Sequence, residues 1–544
     1  MGKHNKVKPP VTPHPAVQKG VKKEESKTLL SRIPLLPTAV ILFFAVWLWG
    51  WLWYGDVFRI AREYSFWSPD STLMYYLYGR PWTALLWAGQ ALLQLFRWPV
   101  LGALVLALLI SKATWLLGYC LRLRGWWRLL QYVPAAAYLC TIAYIGFDLF
   151  FETETGLIMG IPLVSFLVLL IMAFIIRSFS HAHTFPCAVC PPKDETPLQN
   201  RIQLVVTLLV TLLPIIITQK MRPYVRVTTT MQCQLIEQDW QGAIQTAHDN
   251  ADLSYRPIAA FYAIALTQTG QQGTRLFDIR LDYDEPYMHG YNGATTNAAN
   301  YYMMDCDLHA GLVQTAIHHA MEHMTMNGPT LRSLHILTKC ALLKNEWDVA
   351  EKYLHILRHV PFEGNFIEKY SAMVRDTTRI NADPEFHNIR LTEPMHDNFE
   401  NFLTQPTFLG YNATLSEGRS INALWNSLLV HAYTKTMPQF IYACRPMQGT
   451  TPPETFAEAL NMMSSKYPEV MHLYTGLEYQ RPRLLAFMKE VSPYMGSHEV
   501  RAEHAHELFS KWKGYYPYYY FFGNLKATRG HQKANQGTSN QGVN

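Results

Sequence analysis

The chain has 544 residues, with 47 Lys and Arg against 41 Asp and Glu, and eight cysteines. Residues 1–32 carry a net charge of +6, residues 33–219 a net +3 and residues 220–544 a net −3. The basic excess therefore sits in the tail and the apolar region, which excludes nucleic acid as the expected partner of the C-terminal part.

The first 32 residues form a basic tail. It is too long and polar, and the apolar run behind it too long, for a cleavable signal peptide. Residues 33–219 read as a transmembrane domain. Residues 35–54, "LLPTAVILFFAVWLWGWLWY", hold no charge and can cross about 30 Å of hydrocarbon as a helix. The Trp and Tyr in their second half fit an aromatic belt. Residues 99–119, 129–148, 157–176 and 203–219 are four more predicted spans. Residues 82–96, "WTALLWAGQALLQLF", are shorter, contain Gln90 and Gln94, and are predicted to lie at the interface.

Short basic loops face the cytoplasm. The tail and "RLRGWWR" (Arg122, Arg124, Arg128) are basic, and "DLFFETET" (Asp148, Glu152, Glu154) is acidic. Five spans then leave the N-terminus inside and residues 220–544 outside. Lys220, Arg222 and Arg226 count the other way, and a sixth span at 82–96 would reverse the C-terminal side. Lys112 is the one charge well inside a span and is expected to snorkel towards Arg122. Arg59, Arg62, Glu63, Asp70 and Arg80 are candidates for contact with lipid headgroups.

The loop "HAHTFPCAVCPPKDE" brings His181, His183, Cys187 and Cys190 within ten residues. Imidazole and thiolate suit zinc, and C-x₂-C can wrap one ion. Four ligands so close crowd the ion, so the blander expectation is a loop with reduced thiols.

From 220 to 526 apolar residues recur at three and four, the period of helices. Gly328–Pro361 reads as helix, Lys-Asn-Glu turn, helix, proline. Its length is that of one tetratricopeptide period, about 34 residues. Leu334 and Leu337 fall on its first helix, and Trp347, Ala350 and Leu354 on its second. "EQDWQGAIQTAHDN" (237–250) is a weaker echo, and 256–272 reads as a first helix ending at a glycine turn. Further helices are predicted near 382–403, 415–436, 453–465 and 500–513.

One motif competes with this register. His319-Ala-Met-Glu322-His323 spells H-x-x-E-H, in which two His bind zinc and the Glu activates water. A third ligand has to come from downstream, where Glu393 and Glu400 stand. Shifting the repeat back by one period puts Ala316 on Ala350 and Ala320 on Leu354. His319 and His323 then lie on a helix side that packs. Asp282, Asp284 and Glu285, in a long loop, fit no known cation-binding spacing and read as solvated acids. "GYYPYYYFFGN" (514–524) is expected to cap the last helices, with the membrane surface as the alternative. Residues 527–544 have the composition of a disordered tail.

Three stretches, "LYGRPWTALLWAGQALLQLFRWPVLGALVLALLI" (77–110), "TGQQGTRLFD" (269–278) and "LLKNEWDVAEKYLHIL" (342–357), resemble an uncharacterised family of bacterial inner-membrane proteins of the Bacteroides type, a domain of unknown function. The likeness covers about 40 to 520. It implies an all-α protein, with a multi-span N-terminal domain in the inner membrane and a tetratricopeptide-like α-solenoid behind it. It supplies no activity, cofactor or catalytic residue. The function expected is a membrane-anchored scaffold of the cell envelope, with lipids and a protein or peptide as partners and a periplasmic C-terminal domain. A transporter or lipid-linked-substrate protein is the alternative, and a zinc peptidase using His319, Glu322 and His323 comes last.

Overall fold

The computed structural model describes Gly2 and residues 38–123, 125–152, 154–180, 197–281, 304–393 and 421–523. Among these residues every regular element is helical. The chain enters through α1 (Thr38–Leu48), which widens into a π-helical turn over Trp49–Trp53. It then bends by 67° into α2 (Gly55–Glu63), at the end of the predicted first span. The break follows from packing. Gly50 faces Ala103 so closely that a Cβ there would stand 3.1 Å from the alanine methyl. The face of α2 formed by Val57, Phe58, Ile60 and Ala61 is buried.

The helix α3 (Thr83–Leu93) has 11 residues, about 16 Å of rise. That is half of what a hydrocarbon core demands. The long apolar helices are α4 (Pro99–Cys120), α6 (Leu157–Ser180) and α7 (Pro197–Ile216, continued by a π-helical turn to Met221). All three are long and apolar enough to cross a membrane, and α1 with α2 makes a fourth candidate as a bent pair. Between α4 and α6 lies α5 (Val133–Glu152), preceded by 3-10 turns over Gly125–Tyr132. The expected span 129–148 overlaps α5, which is not among the candidate spans found in the described residues.

Glycines let α3 lie flat on the start of α6. A Cβ on Gly89 would stand 1.9 Å from the Gly156 carbonyl oxygen, and one on Gly160 would meet Leu85 at 3.1 Å. Small residues four apart are how helices approach closely in lipid. Lys112 lies with its ammonium 6.0 Å from the Trp115 ring centroid, one turn nearer Arg122.

After Met221 come α8 (Pro223–Ile236) and helices Trp240–Asp249, Arg256–Gln268, Val313–Asn327, Leu331–Leu343 and Trp347–Leu357. One turn recurs in this part of the chain. At Gln238, Gly270, Gly311, Asn345 and Lys435 the backbone is left-handed, with φ from 59° to 79°. At each of them the next N–H reaches back five positions, as in Asp239 N to Gln234 O at 2.8 Å and Glu346 N to Ala341 O at 2.8 Å. This Schellman turn satisfies the last carbonyls of one helix and starts the next at a sharp angle. Gly311 and Asn345 stand one repeat period apart, the shift read from the sequence. Leu334, Leu337, Ala350 and Leu354 are all buried.

The helices Gly364–Arg375 and Arg481–Val491 lie outside the segments expected to be helical. The aromatic run near the C-terminus forms the short helix Tyr516–Phe522. It is buried: Tyr516 and Tyr519 close on Phe277, with Tyr519 also on Tyr433. That is the capping arrangement. One apolar core runs from Leu42 through Ile258, Leu337 and Leu428 to Tyr519 without a break.

Candidate functional site: a buried ionic seam

The Leu331–Leu343 helix is buried along nearly its whole length. Arg332, His335 and Lys339 occupy positions i, i+3 and i+7, so three basic side chains leave one helix side in a row. Each meets carboxylates brought by other elements. Arg332 Nε donates to Asp305 Oδ1 at 2.8 Å. Lys339 Nζ lies 2.5 Å from Glu385 Oε1. His335 Nε2 lies 2.9 Å from Glu363 Oε2, and its Nδ1 is 3.7 Å from Glu63 Oε2.

The N-terminal part of the chain contributes the end of α2. Arg62, 1% exposed, donates to Glu63 Oε1 at 2.8 Å through Nη1 and pairs with Glu363 through Nη2. Gln232 of α8 extends the seam, donating through Nε2 to Tyr64 Oη at 3.0 Å and Asp305 Oδ2 at 3.2 Å. Glu385 also accepts from Gln238 Nε2 at 2.9 Å and Tyr370 Oη at 3.2 Å. Three fixed cations face four carboxylates, and His335, between two of them, is the member whose charge depends on protonation.

Burial alone would drive these carboxyls up. At Glu363 the charges and hydrogen bonds of His335 and Arg62 reverse it and hold the group down at about 2. At Glu385 the charge and hydrogen bond of Lys339 do the same, also to about 2. Burial pushes His309 down to about 4, and it pushes His323 down to about 4 as well. Both imidazoles are thus kept neutral, His309 against the Trp240 ring and His323 against Tyr64.

The groups expected from the sequence fare differently. Arg62 and Glu63, expected at lipid headgroups, are buried in the seam. The correction has a physical cause, because the 67° bend turns α2 out of the line of α1 and carries its end into the helical core. Arg59 pairs with Glu237 at 2.6 Å, Arg80 with Glu154, and Asp70 accepts from Thr72.

In H-x-x-E-H the two His are buried and the Glu is not. His319 Nδ1 lies 2.6 Å from Asp307 Oδ2, and His323 Nδ1 lies 3.5 Å from Ser333 Oγ. Glu322 points outward, 3.9 Å from His318. Among the described residues no three His, Cys, Asp or Glu side chains group as an ion would need. His181, His183, Cys187, Cys190, Asp282, Asp284, Glu285 and Glu400 lie outside the described residues.

No motif in the sequence singles out Asp305, Arg332, His335, Lys339, Glu363 or Glu385. The one signal is the spacing 332, 335, 339 on a helix whose other positions are mostly apolar. Basic residues at that spacing usually mark a solvated face.

Residues 139–523 match the model of a family of unknown function (DUF6057). The chain belongs to that family. The match takes in the stretches 269–278 and 342–357 and begins after 77–110. No curated protein and no solved structure matches the chain. Asp305, Arg332, His335, Lys339, Glu363 and Glu385 fall inside the family region, while Arg62, Glu63 and Tyr64 precede it.

Proposed function

We propose that this protein is a membrane-anchored scaffold of the bacterial cell envelope. A multi-span domain in the inner membrane carries a tetratricopeptide-like helical domain on the periplasmic side, and that domain binds a protein or peptide. No catalytic step belongs to this reading. One observation carries it: the seam from Arg62 and Glu63 to His335 and Glu363 fixes the helical domain to the membrane arm through buried ion pairs. A surface held at a set angle to a bilayer suits recruitment. The repeated left-handed turns, two of them one period apart, support the tetratricopeptide likeness. Basic loops at 1–32 and 122–128 support an inside N-terminus.

The test uses the full chain in its membrane. Tyr442, Tyr479 and Leu485 are exposed on the helical domain. A photo-crosslinker at each is expected to give a discrete adduct with a second protein. The Tyr479→Cys chain is expected to react with an impermeant maleimide from the periplasmic side. Adducts at none of the three positions, or labelling only after the inner membrane is opened, would overturn the reading.

A further inference from the structure

Two bulky aromatic residues hold left-handed backbone, Trp82 at φ 65° and Phe362 at φ 68°. Such a conformation is strained for a side chain of that size and persists only where the surroundings impose it. Neither ring is used to fill the core, for Trp82 is 75% exposed and Phe362 42%.

Phe362 belongs to the helical domain, and it does not stand alone. Its ring meets Trp98 edge-on, with centroids 4.9 Å apart at 67°. Trp98 is itself 51% exposed and is the residue before α4, a candidate span. Val100 and Leu101, the next outward-facing residues of α4, are exposed too. The apolar flank of a span thus continues through Trp98 onto a residue of the helical domain.

The position of Phe362 is fixed on both sides. Leu357 and Val360 are buried against Phe66, Met74, Leu77 and Leu86 of the membrane arm. Glu363 is held by Arg62 and His335.

We infer that the Trp98–Phe362 patch is seated in the interfacial layer of the lipid bilayer, so the helical domain touches the membrane directly. Amphipathic indole at the end of a span is favoured at headgroup depth. Arg97, next to Trp98 and half-buried, offers a cation at the level of the phosphates. The patch is continuous with surface that faces lipid, which argues for lipid over a second protein. The inference rests on the membrane reading above.

The experiment uses the full chain in nanodiscs of phosphatidylethanolamine and phosphatidylglycerol. An environment-sensitive dye is placed at Phe362→Cys, in a chain also carrying Cys187→Ser and Cys190→Ser. Parallel chains carry it at Trp82→Cys, Leu108→Cys or Tyr479→Cys. Nitroxide lipids report depth. The dye at 362 is expected to lose most of its fluorescence to a headgroup-level nitroxide and less to a deep one, as at 82. At 108 the order is expected to reverse, and at 479 neither lipid quenches. A dye at 362 that behaves as at 479 would overturn the inference. So would one shielded from lipid and aqueous quenchers alike, which means a protein covers the patch. Loss of lipid quenching at 108 defeats the membrane reading itself, which separates the two failures. Trp82→Cys reads the interface independently if the 362 variant does not fold.

Discussion

Glu363 and Glu458 are both buried and are held in opposite states. Glu363 lies in the seam between His335 and Arg62, and their charges outweigh burial and keep it ionised. Glu458 lies under the C-terminal aromatic helix. Its Oε2 accepts from the Tyr516 N–H at 2.9 Å, and its Oε1 lies 2.8 Å from Arg483 Nη1. Arg483 is half-exposed and shared with Glu454 at 3.2 Å and the Tyr515 ring, so its charge is diluted. Burial wins there and pushes the carboxyl up to about 8. Depth alone therefore does not set the state of a carboxyl in this protein. What sets it is whether a cation is buried with it. The seam works as an ionic weld, and the cap tolerates a neutral acid that uses one helix N-terminus.

Removing one cation from the weld breaks that contrast most strongly. Arg62→Met leaves Glu363 and Glu63 buried without their guanidinium. It is expected to cost about 3–5 kcal/mol, since stranding a buried charge is far costlier than deleting a pair. Thermal melting of the purified chain in detergent measures it, and adding Glu363→Gln to Arg62→Met is expected to restore much of the loss. Were Arg62→Met neutral, the seam would not be an ionic weld. Lys339→Met is expected to cost less, about 2–3 kcal/mol, because Glu385 keeps its donors from Gln238 and Tyr370.

Next in size is the pH profile. Glu363 and Glu385 have folded values below their usual range, so their stabilisation is full above about 4.5 and is lost as pH falls towards about 2. His309 and His323 are held neutral, so the unfolded chain binds protons first, and stability falls from about pH 6.5 down to about 4. All four act in one direction. Melting temperature is expected to drop steadily below pH 6.5, and His309→Phe to flatten the upper part of that slope. A slope unchanged by His309→Phe would mean that this imidazole is not held neutral.

The cap is expected to show the opposite sign. The raised value of Glu458 means that the folded chain holds a proton the unfolded chain has lost, so stability falls as pH rises from about 4.5 to about 8. Glu458→Gln is expected to melt close to the parent at about pH 5 and increasingly above it up to about pH 8. Parallel curves for the two chains would show that Glu458 is ionised in the fold after all.

The helical class, the long apolar segments and the turns at Gly270 and Asn345 are legible in the sequence alone. Helical period, span length and left-handed turns are local properties, written in residues a few places apart. The repeat register placed Ala316, Ala320, His319 and His323 on a packing side, and all four are buried there. What the charges do was settled by tertiary packing. Arg62 and Glu63 look like solvated or lipid-facing groups beside a span. They are buried because a 67° bend carries them to a histidine and a glutamate far along the chain. No local pattern encodes that meeting, since the energy of a buried charge depends on the partner brought to it through space.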